Sequence, residues 1–284
     1  MAQELFQHAF PNGLTLLAER MPHVRSAAMY FLVPGGCGYD PPKQLGLAGA
    51  LADLITRGAG ERDSRELTLA LDNLGLDRSE SVGIHHFRFW GTTLARNLPA
   101  ALRIYADILR LPHLPDDELE SVQALALQDI KGLEDEPGSR VMVELRRHLY
   151  PRPLSNDHRG TVEGIQALTP ESIRAHHARY FRPSGSILAV AGNVEWAPLV
   201  DLVGALFGDW EGGPPEPFEL GPPPPKRAHL SKELEQTQIT VAYPSVPVPD
   251  PDYYAALGAS NVLSGGMGRG CLRRSARRRG CATR

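Results

Sequence analysis

The 284-residue sequence predicts a chain that mixes β-strands with α-helices and divides into two units. Three observations carry this. An Asn12-Gly13 turn separates the strand-like stretches 6–10 and 14–18, the strongest short-range hairpin signal. Over 44–57 the apolar spacing changes, and Leu47, Leu51 and Leu54 share one face of a helix. At 212–225 a Gly/Pro-rich stretch breaks the composition, as a semi-rigid linker would.

The remaining elements follow in order. Residues 27–33 read as a buried strand ending at Gly35-Gly36. Ser64 is a candidate N-cap for a helix carrying Leu67, Leu71 and Leu74 and stopped by Gly75. Residues 81–94 alternate, with Phe87 and Phe89 on one face, and suggest paired strands. Helices are expected near 98–110, 116–134 and 139–149. Thr169-Pro170 caps and starts another that runs to Tyr180. A central strand at 187–191 and a helix at 196–207 close the first unit, 1–211. The second starts at 226, with strand-like 238–243 and helix-like 252–263, and reaches 268.

Hydrophobic residues make up 42%, enough for a large core. Thirty basic against 33 acidic residues give no global bias toward nucleic acid or an anionic membrane. The last sixteen residues, 269–284, hold seven arginines and no acid or aromatic, so no base-stacking surface is expected there. No basic and apolar leader opens the chain, and no apolar run is long enough to cross a bilayer. Cys37, Cys271 and Cys281 form no disulfide framework, so a cytoplasmic location is expected.

Several motifs, in this order, resemble the pitrilysin/insulinase metallopeptidases, in particular their mitochondrial-processing-peptidase-like branch. They are Asn12-Gly13-Leu14-Thr15-Leu16, Gly46-Leu47-Ala48, and Glu134-Asp135-Glu136-Pro137. The most specific runs from Gly160-Thr161 through Ile165, Leu168-Thr169, His177, Tyr180 and Arg182-Pro183 to Val190-Ala191-Gly192. The run 261–268 resembles the start of the matching segment in a second half. The resemblance implies an α+β fold: two similar halves, each a mixed sheet backed by helices, closing over an unfolded peptide. It also implies that the second half is truncated here. The familiar text stops at Gly268, and the arginine-rich 269–284 then reads as a frame shift or truncation.

Active members carry His-x-x-Glu-His on the first helix. The two histidines hold zinc, the glutamate is general base on metal-bound water, and a glutamate from a later helix is the third ligand. Aligned on Gly46-Leu47-Ala48, this chain has Gly49 at the first histidine, Ala52 at the base and Asp53 at the second histidine. Asp129, 76 residues after Asp53, falls at the distal glutamate. It sits on the apolar stripe of its helix with Leu119, Val122, Ala126, Ile130 and Leu133, so it is expected to point inward, where the ligand would. Gly49 and Ala52 offer no donor atom. Asp53 and Asp129 remain as weak candidate metal ligands, too few for a tight site. No catalytic residue and no cofactor are therefore expected. Adjacent histidines point apart, so His85-His86 and His176-His177 are not expected to share a metal; His148, His158 and His229 read as isolated. Gly265-Gly266-Met267-Gly268 lacks the Lys-Ser/Thr of a phosphate loop. The function implied is that of a non-catalytic subunit binding unfolded peptide beside an active sister chain. Partners on a membrane or nucleic acid are not expected. Two alternatives stay open: an active zinc metalloendopeptidase with unusual ligands, and a truncated gene product without function.

Overall fold

The computed structural model describes residues 4–225, 227–232 and 237–264. The chain divides into two compact units, Met1–Ile239 and Thr240–Arg284.

Unit one is built on a six-stranded mixed sheet in the order β1-β2-β6-β3-β5-β4. Strands β1 (Glu4–Ala9) and β2 (Thr15–Arg20) form the expected hairpin, paired from Glu4↔Arg20 to Ala9↔Thr15. Gly13 takes φ +89° in the turn, a value open to glycine at no steric cost. Asn12 Oδ1 accepts from the Leu14 N–H, while its Nδ2 donates to the carbonyls of Phe207 (2.6 Å) and Trp210 (3.1 Å). The turn residue thus ties the first hairpin to the end of the last helix of the unit. Strand β3 (Ser26–Pro34) pairs antiparallel with both β5 (His86–Leu94) and β6 (Ile187–Gly192). Strand β4 (Asp77–Val82) is one edge and β1 the other. Only β2–β6 is parallel.

The sheet has a dry face and a wetter one. Ala27, Met29, Phe31 and Val33 of β3, Phe87 and Phe89 of β5, and Leu188 and Val190 of β6 are buried. The alternate residues, such as Tyr30, face outward.

Helices α1 (Leu47–Leu54), α2 (Ser64–Asn73), α3 (Leu98–Arg110), α4 (Leu119–Glu134), α5 (Pro137–Leu149), α6 (Val162–Gln166), α7 (Pro170–Tyr180) and α8 (Trp196–Phe207) complete the unit. Helix α3 buries Leu98, Leu102, Ile104, Ile108 and Leu109 together with Tyr105. Each such side chain contributes roughly 1.5–3 kcal/mol by leaving water, so α3 anchors the layer. Asp63, not Ser64, caps α2: its carboxylate accepts from the Glu66 N–H, and the Glu66 side chain returns a bond to the Asp63 N–H. Helix α5 contrasts with α3, because none of its residues is buried.

Residues 212–225, expected as a linker, are tied to unit one. Glu216 pairs with Arg179 (3.0 Å), the Phe218 ring stacks on His85 and meets Tyr39 edge-on, and the Gly221 N–H donates to the Arg152 carbonyl. The contact boundary therefore falls at Ile239, beyond that stretch.

In unit two, α9 (Tyr253–Ser264) forms where a helix was expected. The strand expected at 238–243 does not form. Ile239, Val241 and Tyr243 alternate, but each is largely exposed, and among the described residues none has a partner strand. The glycine loop 265–268 and the arginine-rich 269–284 lie outside the described residues. Among those described, no helix is long and apolar enough to cross a membrane.

Candidate functional site

Helix α1 carries three of the four aligned positions, and its placement is dictated from outside the helix. The carboxylate of Asp40 accepts from the Gly46 N–H through Oδ2 and from the Ala48 N–H through Oδ1, both at 2.9 Å. These are two of the donors a helix start leaves unpaired. Asp40 is buried, and that burial pushes its pKa up to about 7 against the pull of the three backbone N–H groups at the helix start. On the other side, Gly160 lies against the Leu45 carbonyl, with no room there for a side chain, and the Thr161 N–H donates to the same oxygen. Thr161 then caps α6, whose Ile165 is buried against the core. This explains the Gly160-Thr161-x-x-x-Ile165 spacing: the glycine allows close approach, the threonine starts a helix, and the isoleucine seals it.

The four aligned positions fall on two helices that pack on each other, α1 and α4. Gly49 sits where a Cβ would overlap the carbonyl oxygen of His158. Ala52 presents a methyl group, partly buried against the core. Asp53 and Asp129 are within electrostatic reach of one another. The Asp53 pKa is raised, by burial first, with Asp129 adding to the rise and Arg57 and His158 opposing it.

Two readings from sequence need correction. Asp129 is not buried with its stripe. Leu119 and Val122 are buried and Ala126 and Ile130 partly so, while Asp129 is exposed, though its charge reaches both Asp53 and His158. Nor is His158 isolated. It stands beside Asp157 (Nδ1 to Oδ1, 3.6 Å), feels Asp129, and supplies the backbone oxygen that fills the space beside Gly49. Burial holds its pKa below the ordinary value. The available signal was its position two residues before Gly160.

That donor set does not fit a catalytic zinc, which takes three protein ligands around an open position. One aligned position has no side chain and no room for one, and another has only a methyl. Among the described residues, no group of three or more His, Cys, Asp or Glu is placed to hold a metal ion. The histidine pairs diverge: His176 Nε2 bonds the Gly35 carbonyl (2.7 Å), His177 Nε2 the Leu109 carbonyl (3.0 Å). His176 is held down to about pKa 4 by burial. The buried Cys37 thiol is pushed up to about 12, by burial first and then by Asp40 and Asp157, so it carries no thiolate at neutral pH.

Comparison with known proteins agrees with this architecture. The family model described as Insulinase (Peptidase family M16) matches residues 15–161, and that described as Peptidase M16 inactive domain matches 167–283. An uncharacterized zinc protease of Rickettsia bellii is 24% identical over 233 residues, covering 82% of this chain and 57% of that protein. The mitochondrial-processing peptidase subunit beta of Saccharomyces cerevisiae is 24% identical, covering 89% and 56%. This chain thus spans a little over half the length of the curated relatives it matches. The crystal structure of a peptidase M16 inactive domain from Pseudomonas fluorescens superposes with a TM-score of 0.80 at 18% identity, covering 98% of this chain and 68% of that one. A protease from Helicobacter pylori superposes with a TM-score of 0.69 over 78% of this chain. The first family model alone accounts for more than half of the residues, and the chain belongs to the insulinase family, peptidase family M16.

Proposed function

We propose that this chain is a non-catalytic member of its family, binding unfolded peptide beside an active sister chain. The observation that carries the reading is the surface of α1. Where a metallopeptidase presents two imidazoles and a carboxylate, this helix presents Gly49, Ala52 and Asp53, and the His158 carbonyl occupies the room beside Gly49. Without a base, water activation loses roughly 10²–10⁴ in rate, before the loss of the metal is counted. The mixed sheet and its helix layer form without the zinc-binding side chains, which supports a peptide-facing wall kept without the chemistry. The match to an inactive-domain model over 167–283, and the yeast relative's name as one subunit of a processing peptidase, support a paired role.

The test has two arms. The purified chain should carry no stoichiometric zinc and show no chelator-sensitive peptide cleavage. From its native source it should co-purify with a zinc-bearing sister chain and raise that chain's peptidase activity. Stoichiometric zinc with cleavage by the chain alone would instead establish an active enzyme with unusual ligands. The nearness of Asp53, Asp129 and His158 makes that the outcome to measure against.

A further inference from the structure

A cavity of about 70 Å³ lies between the end of α4, the exposed helix α5 and the loop that carries Gly160. Three guanidinium groups line it: Arg140 and Arg147 from α5, and Arg159 from the loop. A smaller cavity of about 30 Å³ shares Arg147, Asp157 and Gly160 with it and adds Arg152. By this measure a single water needs about 10–15 Å³, so the larger space holds a carboxylate group.

The cavity is polar but incompletely matched. Arg140 pairs with Glu134, Arg147 with Glu144 (2.8 Å) and Arg159 with Asp157 (3.1 Å). Each pair uses the Nη1 of its arginine. A guanidinium has five N–H donors, so most of this donor capacity is uncommitted. Arg140 Nε is buried and has no acceptor, and it is the one such side-chain atom among the described residues. A buried donor without a partner is costly, and a ligand oxygen removes that cost. Across both cavities four arginines face three acids, a net positive lining. Lys232 also reaches Glu134 (3.9 Å) and adds a further positive charge beside the cavity.

Location gives the cavity its meaning. Ile130 follows Asp129 directly, and Asp157 and Gly160 bracket His158, whose carbonyl covers Gly49. The cavity therefore adjoins the face where α1 and α4 meet. We infer that it is a binding subsite for a peptide carboxylate, either an acidic side chain or a chain terminus. This rests on the reading of the protein as a peptide-binding chain. Planar forked donors suit a planar carboxylate, and charge-assisted bonds of this kind are about twice as strong as neutral ones.

The test uses the full chain and three fluorescent peptides of one neutral sequence. The first carries a central Glu and an amidated end, the second Gln and an amidated end, the third Gln and a free carboxylate. By fluorescence anisotropy, the first or third should bind about tenfold more tightly than the second. Whichever binds identifies the source of the carboxylate. Arg140→Gln should abolish the preference for the carboxylate-bearing peptides. Glu134→Gln, which frees Arg140 from its internal partner, should strengthen binding of the acidic peptide by severalfold, a gain that misfolding cannot mimic. Equal binding of all three peptides would overturn the subsite and leave peptide binding intact. No binding of any peptide would overturn both.

Discussion

Asp40 caps α1 from outside the helix, and its charge state links pH to stability. Its folded pKa, about 7, stands above the ordinary 3.8 because burial disfavours the carboxylate. A raised acid binds its proton more tightly when folded, so its favourable contribution is complete below the ordinary value and is lost as pH rises through 7. The urea midpoint should therefore fall between pH 5 and pH 8, and Asp40→Asn, which cannot ionise, should flatten that slope. Gly49 permits a second prediction. In an open helix, Gly→Ala stabilises by about 0.5–1 kcal/mol. Gly132 in α4 is such a site, with nothing near its missing Cβ, and Gly132→Ala should raise the melting temperature. At Gly49 the His158 carbonyl blocks the added methyl. Gly49→Ala should instead destabilise by about 1–3 kcal/mol, the usual cost of overpacking. A matched pair of thermal melts checks both signs. The sequence disclosed the missing donor atoms at Gly49 and Ala52, because side-chain chemistry is local. It could not disclose that a backbone oxygen 109 residues away fills the space, since that contact exists only after folding.

Elements with their own punctuation were legible. Helix α7 starts at Thr169-Pro170, as its cap and proline dictate, and α3 and α8 end where their apolar stripes end. The β1–β2 hairpin follows from Asn12-Gly13. Elements that depend on distant partners were less so. The alternation at 238–243 resembles a strand, but a strand requires a neighbour, and none of the described residues supplies one. For α4, the stripe read from Leu119 to Leu133 buries fully only at Leu119 and Val122. Periodicity marked its apolar side but not how far along the helix the core extends. Asp129 was placed inward for that reason and is exposed instead.

For the molecule as a whole, the sheet, its helix layer and the 212–225 stretch all belong to Met1–Ile239. A fragment ending at residue 239 should therefore fold on its own, with a single cooperative thermal transition close to that of the full chain. Thermal unfolding followed by circular dichroism tests this. A broad, non-cooperative melt would show that the sheet needs residues beyond 239. The order of motifs revealed the family because that order is a property of the entire chain, even though each motif is weak alone. The peptide-binding role proposed above and the arginine-lined cavity make the same demand at this scale: an intact wall with its chemistry removed.

The docking of Phe218 and Gly221 also decides what the 212–221 stretch can be used for. An extended chain gains at most about 3.3–3.6 Å per residue. Left loose, those ten residues could span roughly 35 Å; instead they lie as a strap against the first unit, held at Glu216, Phe218 and Gly221. Parting the Phe218 ring from His85 and Tyr39 would unbuckle that strap while leaving the buried face of the sheet as it is.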